Sequence, residues 1–487
     1  MSAVLDINVR MIFRTLGALL FIEGVFMLLC LPMAIFYCNE NCLALLYSGL
    51  ITASIGGIVF FLTRKNLKKH IGKRDGYIIV SMTWIVISLF GTLPFLISGA
   101  IPSFTDAFFE TMSGFTTTGA SILTDIEALP RGILFWRSMT HWIGGMGIIV
   151  LSVAILPALG IGGMQLYAAE MPGPTKDKLH PRITQTAKRL WGIYVLFTIA
   201  ETILLMTGGM DLFDALCHTF GTVATGGFST QNSSITGYSP FIQYVIIIFM
   251  ILAGTNFTLH YMALHGRLRR VFKNEEFRAY LITIAITGLV ITLGLTLDSD
   301  LPFTTAFRKS LFQVVSIITT TGFITDNYTL WPVAMWFIVF LLMFIGGMAG
   351  STGGGIKVVR HLLLFKNSTM ELKRVLHPHA IIPVRLSGKI VSQEIIYKIM
   401  AFFLIYFIIF GIGSLVMTLL GLDYKSAIGA SIATLGNIGP GIGQVGPVGN
   451  YASIPEFGKW FLSFLMLLGR LELFTVLILL SPSFWRK

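Results

Sequence analysis

The sequence predicts an all-α polytopic membrane protein with about ten transmembrane helices and four re-entrant half-helices, in a pseudo-fourfold repeat of helix, re-entrant loop, helix. Three observations predict it. Apolar runs of roughly 20 residues recur from end to end, each long enough to cross about 30 Å of hydrocarbon as a helix. Stretches too polar and glycine-rich to cross in the same way lie between pairs of these runs. Two local signatures then recur in the same order in four such places. Composition agrees: 54% of the 487 residues are hydrophobic and 12% are charged, about half the charged fraction of an ordinary soluble domain.

Hydropathy puts spans near 13–36, 43–63, 77–99, 133–158, 191–208, 241–264, 279–297, 333–365, 391–420 and 459–481. The eighth is interrupted by glycines. The net charge of +12 comes from short basic segments between spans, 64–74, 176–189, 267–278 and 357–389 among them, and 27 of the 35 Lys and Arg fall on one side if ten helices cross. That side is cytoplasmic, with both termini on it. No basic domain or base-stacking platform points to nucleic acid. The other side carries Glu40, Asp106, Glu110, Asp125, Asp211, Asp214, Asp298, Asp300, Asp326 and Asp423, an acidic mouth that concentrates cations. The first apolar run is too long for a cleavable signal peptide and is expected to stay in the protein.

After the first two spans the remaining eight pair off, giving an N-terminal helix pair (1–70) and four repeats at 71–175, 176–272, 273–375 and 376–487. Each bracketed stretch opens on an amphipathic run, at Asp106-Ala107, Asp214-Ala215, Lys309-Ser310 and Lys425-Ser426. Each ends in a short loop: Thr117-Thr118-Gly119, Ala224-Thr225-Gly226, Thr320-Thr321-Gly322 and Asn437-Ile438-Gly439. A second signature sits in the span that follows, at Gly144-Gly145, Ala253-Gly254, Gly346-Gly347 and Gly469-Arg470. Non-helical backbone at membrane depth leaves N–H and C=O groups that lipid cannot satisfy, so the loops must share an enclosed polar cavity. Small residues around a glycine free to take φ > 0 let carbonyls line up as rings of oxygens that replace an ion's water. The half-helices would aim negative C-terminal ends at the same cavity, favouring a cation.

The segments SGFTTTGAS (113–121), TVATGGFST (222–230), TTTGFITDN (319–327) and TLGNIGPGIG (434–443), with GGMAGSTGGGIK (346–357) and GRLELFT (469–475), resemble the Trk/Ktr/HKT superfamily along essentially the whole chain. The extra N-terminal helix pair makes it similar to the TrkH/TrkG-type Trk subunits within that superfamily. The resemblance implies potassium uptake through a channel-like pore, with K+ held at the twelve loop residues named above. It also implies a homodimer in the inner membrane and a cytosolic TrkA-type nucleotide-binding ring docked below. Sodium-permeable members tend to carry serine at the first filter glycine, and all four positions are glycine here. The fourth loop departs from the pattern by reading Asn-Ile-Gly-Pro.

The glycine-rich break in the eighth span, at Gly346, Gly347, Gly350, Ser351, Thr352, Gly353, Gly354 and Gly355, is poor helix, at roughly 1 kcal/mol per glycine relative to alanine. It reads as a kink or, with the resemblance, as an intramembrane gate below the loops. Lys357 reads as a gate-positioning charge or as an anchor snorkelling to the cytoplasm, and the anchor is preferred. Arg470 lies in an apolar helix, where a cation is costly unless it faces water or a partner. It is expected to line the pathway, with Glu110 or Asn437 as partner and Glu472 off its helix face. Gly144 and Gly145 read as helix-packing residues, and His141, His218 and His260 as packing or lining residues without metal-ligand spacing. Cys38 and Cys42 share a tight turn without a CxxC pattern. No HExxH, Walker or GxSxG motif offers enzymatic chemistry or a cofactor site. The remaining alternatives are a sodium-permeable or cation-coupled symporter of the same fold and, from another class, a receptor or scaffold. A scaffold would have no use for polar loops at membrane depth.

Overall fold

The computed structural model describes residues 7–37, 42–64, 72–147, 183–298 and 301–486. Residues 148–158 of the fourth expected span, the basic residues 176–182, and Cys38, Glu40 and Asp300 lie outside these.

Two helices open the chain. α1 (Val9–Leu29) starts where the Asn8 side chain accepts from the Met11 N–H at 3.2 Å, and after the short α2 (Leu31–Tyr37) the chain returns as α3 (Cys42–Leu62). Gly17 and Gly24 on α1 meet Gly49 and Gly56 on α3. A Cβ at Gly24 would stand 2.5 Å from the Ala53 nitrogen, so only a glycine lets the backbones approach so closely. The seven-residue spacing within each helix is two turns, which keeps each pair on one face.

A long helix, a short buried helix and a broken helix then follow one another four times. The long helices are α4 (Lys73–Gly91), α8 (Ile183–Thr207), α13 (Glu275–Asp298) and α17 (Gln393–Leu419). The short ones are α6 (Phe104–Phe115), α9 (Leu212–Val223), α14 (Phe303–Ile318) and α18 (Tyr424–Leu435), with a one-turn α5 (Leu93–Ile97) before the first. α7 (Arg131–Trp142) runs into a π-helical turn at Ile143–Gly147. α10 (Pro240–Ala253) and α11 (Phe257–Leu264) meet at 102°, and a short α12 (Leu268–Lys273) follows. α15 (Val333–Leu342) is separated from α16 (Val358–Leu376) by an irregular segment. α19 (Glu456–Arg470) and α20 (Phe474–Leu480) are separated by Glu472 and Leu473 at φ 57° and 60°, and α21 (Pro482–Trp485) ends the chain.

Six of the described helices are long and apolar enough to cross a membrane, and the bent α10–α11 pair makes a seventh. Ten spans were expected. The shortfall is local: the fourth span runs out of the described residues, and the eighth and tenth are interrupted beneath the short helices. The sequence pointed to one such interruption, yet all four second helices depart from α-helical geometry at or within a few residues of their glycine signatures.

Three of the four short helices are capped by side chains at their N-termini, and α14 starts after Pro302 without one. Ser103, Asp211 and Asp423 cap α6, α9 and α18, accepting from the N–H groups of Asp106, Asp214 and Ser426. Asp423 is outside the spans, and the Ser426 hydroxyl beside it holds its carboxyl below the usual carboxylate range. At their C-termini nearly every residue is buried.

Candidate functional site

The four short helices end in the same backbone turn. Thr117, Thr225, Thr320 and Asn437 donate to the carbonyl three residues back, at 3.0–3.2 Å. Thr118, Gly226, Thr321 and Ile438 donate to the carbonyl five back, at 2.7–2.9 Å. This pair of bonds is the Schellman closure, whose first residue is left-handed and is usually glycine. Here it is Thr117, Thr225, Thr320 and Asn437, at φ 52°, 57°, 58° and 52°. A β-branched residue at positive φ is an outlier that surrounding contacts must hold in place.

Two residues further on stand Gly119, Gly227, Gly322 and Gly439, at φ 81°, 79°, 82° and 92°. In the second loop the residue equivalent to Gly119 is therefore Gly227, and the matching triplet is Thr225-Gly226-Gly227. The expected Ala224-Thr225-Gly226 is one residue early, because Ala224 is still the helix C-cap, as Thr116, Thr319 and Gly436 are elsewhere. Gly227 was missed because two glycines stand in tandem and only the hydrogen-bond pattern says which follows the turn.

These glycines form a closed cycle. A Cβ at Gly119 would overlap the Gly226 carbonyl oxygen, one at Gly227 that of Thr321, and one at Gly322 that of Ile438; one at Gly439 would stand 2.8 Å from that of Thr118. Each loop thus lays a carbonyl against the glycine of its neighbour, and the fourth returns to the first. On one side the four glycines line a cavity of about 240 Å³, together with Arg137, Tyr451 and the loop residues beyond.

Side chains behind the cycle fix it. Glu110 of α6 is buried and pairs with Arg137 of α7 at 2.7 Å. The same carboxylate accepts from the Ser121 hydroxyl and the Ile122 N–H, both at 2.9 Å, while Arg137 donates to the Ser229 carbonyl at 2.9 Å. One ion pair therefore ties the first loop to the second. Glu110 was a proposed partner of Arg470; that assignment is corrected, and Arg137 was not singled out at all. The argument applied to Arg470, a cation in an apolar run, would have found it. Tyr451 donates to the Gly439 carbonyl at 2.8 Å and Tyr328 to that of Gly441 at 2.6 Å. His141, His218 and His260 bond to backbone carbonyls, and among the described residues no group of His, Cys, Asp or Glu could hold a metal ion.

On the other side of the cycle lies the irregular segment between α15 and α16. The Gly354 N–H donates to the Thr320 hydroxyl at 2.7 Å, and the Thr352 hydroxyl donates to the Val223 carbonyl at 3.1 Å, so this segment touches the ends of two short helices. It also bonds the α10–α11 bend, Met348 N–H to Gly254 O at 2.9 Å and Phe257 N–H to Gly350 O at 3.0 Å. Arg470 reaches across to it, donating to the carbonyls of Thr352 at 2.8 Å and of Gly144 and Gly145 at 2.6 and 2.7 Å. Asn437, the other proposed partner, instead donates to the Thr118 hydroxyl and the Met466 carbonyl, each at 2.9 Å. Glu472 lies past the end of α19, at φ 57°, and pairs with Arg360 of α16. Lys357 departs from its preferred reading: it is buried, and its ammonium turns back to the carbonyls of Gly353 and Gly354. Carbonyls freed by the broken helix offer it partners that an interfacial anchor would seek in water. Gly144 packs against the end of α6, where a Cβ would overlap the Phe115 carbonyl.

Known proteins match this chain along nearly its whole length. The family model described as TrkH, cation transport protein, matches residues 44–487. The Trk system potassium uptake protein TrkH of Salmonella typhimurium is 44% identical over 98% of this chain and 99% of its own. The Trk system potassium uptake protein TrkG of Escherichia coli K12 is 37% identical over 99% of both. The crystal structure of the potassium transporter TrkH from Vibrio parahaemolyticus matches with a TM-score of 0.88 at 39% identity, covering 99% of this chain and 100% of that one. These relatives are transporters without an indicated cofactor, not enzymes. With its apolar helices and its near-complete match to them, this multi-pass membrane chain belongs to the TrkH family of cation transport proteins.

Proposed function

We propose that this chain is a potassium-uptake subunit of the inner cell membrane, with both termini cytoplasmic, and that the ion crosses along the axis of the four-loop cycle. The closed cycle of glycine-to-carbonyl contacts carries this reading. Carbonyls of four loops gathered at one level can replace the water of a cation, and four helix C-termini, each worth about half a negative charge, add to the same field. The filter then comprises Thr117 to Gly119, Thr225 to Gly227, Thr320 to Gly322 and Asn437 to Gly439, one from each of four pore repeats behind an N-terminal helix pair. The name shared by the relatives, potassium uptake, supports K+ as the cargo.

In the same reading the segment 346–357 is the gate, closed against the filter by Thr320 and braced by Arg470 and Lys357. An unscreened positive charge 4 Å from the ion costs about 4 kcal/mol at an effective dielectric near 20. The three carbonyls around Arg470 reduce that barrier, so the guanidinium acts as a tie as much as a repelling charge. Uptake is driven by the membrane potential, at about 2.3 kcal/mol per charge per 100 mV. A homodimer and a cytosolic TrkA-type nucleotide-binding ring complete the assembly, on the resemblance to Trk systems. The test is cation flux into liposomes holding the purified protein, with potassium exchanged for sodium. Potassium flux several-fold above sodium supports the reading; equal fluxes favour the sodium-permeable alternative, and no flux of either favours a scaffold.

A further inference from the structure

The segment between the α10–α11 bend and the start of α13 carries a feature that transport does not use. α11 leaves α10 at 102°, and the chain beyond it is exposed from Leu264 until α13 begins, apart from Val271 and the half-buried Asn274. Arg267, Arg269, Arg270 and Lys273 line an open surface depression of about 370 Å³. No Asp or Glu occurs from Thr255 to Asn274. The next two carboxylates are engaged, Glu275 by Lys366 and Glu276 by the Ala349 N–H at 2.7 Å. Between the cations, Leu268 and Phe272 lie one turn apart on α12 and are 53% and 60% exposed.

We propose that Arg267, Arg269, Arg270 and Lys273 form a site for the phosphate headgroup of an anionic phospholipid, with Leu268 and Phe272 seated at the edge of the acyl chains. Guanidinium groups match phosphate oxygens two at a time. Basic residues interleaved with exposed apolar ones are the pattern of an element lying in the interface. Depth agrees: Lys273 stands two residues before α13, an apolar helix that crosses from Glu275 to Asp298. A soluble acidic partner would satisfy the cations but would have to cover Leu268 and Phe272 as well, which membrane does without a dedicated surface.

Both ends of this strap grip the irregular segment, through Phe257 N–H to Gly350 O and Ala349 N–H to the Glu276 carboxylate. A bound headgroup therefore steadies the support on which residues 349 and 350 rest. This second part rests on the gate reading above, whereas binding does not.

The experiment uses the full-length protein in nanodiscs of phosphatidylcholine containing phosphatidylglycerol, with retained lipid counted by native mass spectrometry. Wild type should retain phosphatidylglycerol over phosphatidylcholine. Each cation near an anionic surface is worth about fivefold in affinity, so Arg267→Gln/Arg270→Gln should lose at least tenfold, and the fourfold Gln variant more. Lys373→Gln/Lys389→Gln, which removes two charges elsewhere on the basic side, should retain lipid as wild type does and controls for net charge. Leu268→Gln/Phe272→Gln should also weaken retention. Equal retention in the fourfold variant, confirmed folded by size exclusion, overturns the site. Displacement of the lipid by millimolar inorganic phosphate overturns the assignment to lipid, as does loss of binding to a cytosolic protein with lipid retention unchanged. Potassium flux that responds to phosphatidylglycerol in wild type and not in the variant supports the link to the gate; flux indifferent to the lipid, with binding intact, removes that link and leaves the site standing.

Discussion

On the function proposed above, Thr320 joins the filter to the gate, and replacing it separates two effects that coincide in one residue. Its left-handed backbone, φ 58°, costs about 1–2 kcal/mol that glycine would not. Its hydroxyl accepts the buried Gly354 N–H at 2.7 Å. Thr320→Gly relieves the first in both open and closed states but deletes the second only where the loop is closed. An unpaired buried N–H costs about 1–3 kcal/mol, so the loop equilibrium should shift toward open by about 5- to 150-fold. Thr225→Gly is the control, because Thr225 has the same left-handed backbone while its hydroxyl donates within its own loop, to Ala224. Thr320→Ser keeps the acceptor and should behave as wild type. The assay is basal potassium flux in proteoliposomes without added regulator. Flux in Thr320→Gly no higher than in Thr225→Gly would refute the latch, and with it the argument that Gly354 is held closed from the filter side.

Three further outcomes are expected. Gly119→Ser should raise sodium relative to potassium permeability, because a Cβ there meets the Gly226 carbonyl at a left-handed position, and Gly227→Ser should do the same from the second loop; ion-substituted flux measures both, and unchanged ratios would count against the ring. Arg470→Ala, or deletion within residues 350–355, should raise basal flux with the potassium preference intact, since the tie to Thr352, Gly144 and Gly145 is lost while the filter is not altered. Glu110→Gln leaves Arg137 buried without its carboxylate, a loss of about 3–5 kcal/mol; thermal unfolding of the detergent-solubilised protein should fall well below wild type and recover in part in Glu110→Gln/Arg137→Met.

What could be read from the chain was whatever lipid forbids. Polar, glycine-rich stretches between apolar runs have few permitted positions in a membrane, so the four loops were legible, and so was a broken eighth span, from the glycines of 346–355. What could not be read depends on partners distant in sequence. The second loop slipped by one residue because Gly226 and Gly227 are equivalent as letters and differ only in which N–H closes the helix. Glu110 and Arg137 stand 27 residues apart on different helices, and nothing local joins them. The break at Glu472 and Leu473 contains no glycine, and its positive φ values follow from packing rather than propensity. Lys357 turned inward because a neighbouring helix break supplied carbonyls that an intact helix would have kept for itself.

Among the described residues, an irregular segment as long as that between α15 and α16 occurs in the third repeat, and the filter residue it bonds is Thr320. Four identical subunits around an axis could not adopt this plan, since each would bring its own copy and four loops would compete for space that holds one. A single chain carrying four divergent quarters escapes that constraint. One quarter can supply the irregular segment proposed as the gate, another the arginine that reaches across to it, and a third the carbonyls that receive the same arginine. Divergence among the repeats, which in the sequence looks like decay of a fourfold pattern, thus permits a division of labour that a single chain can carry and an assembly of equal copies cannot.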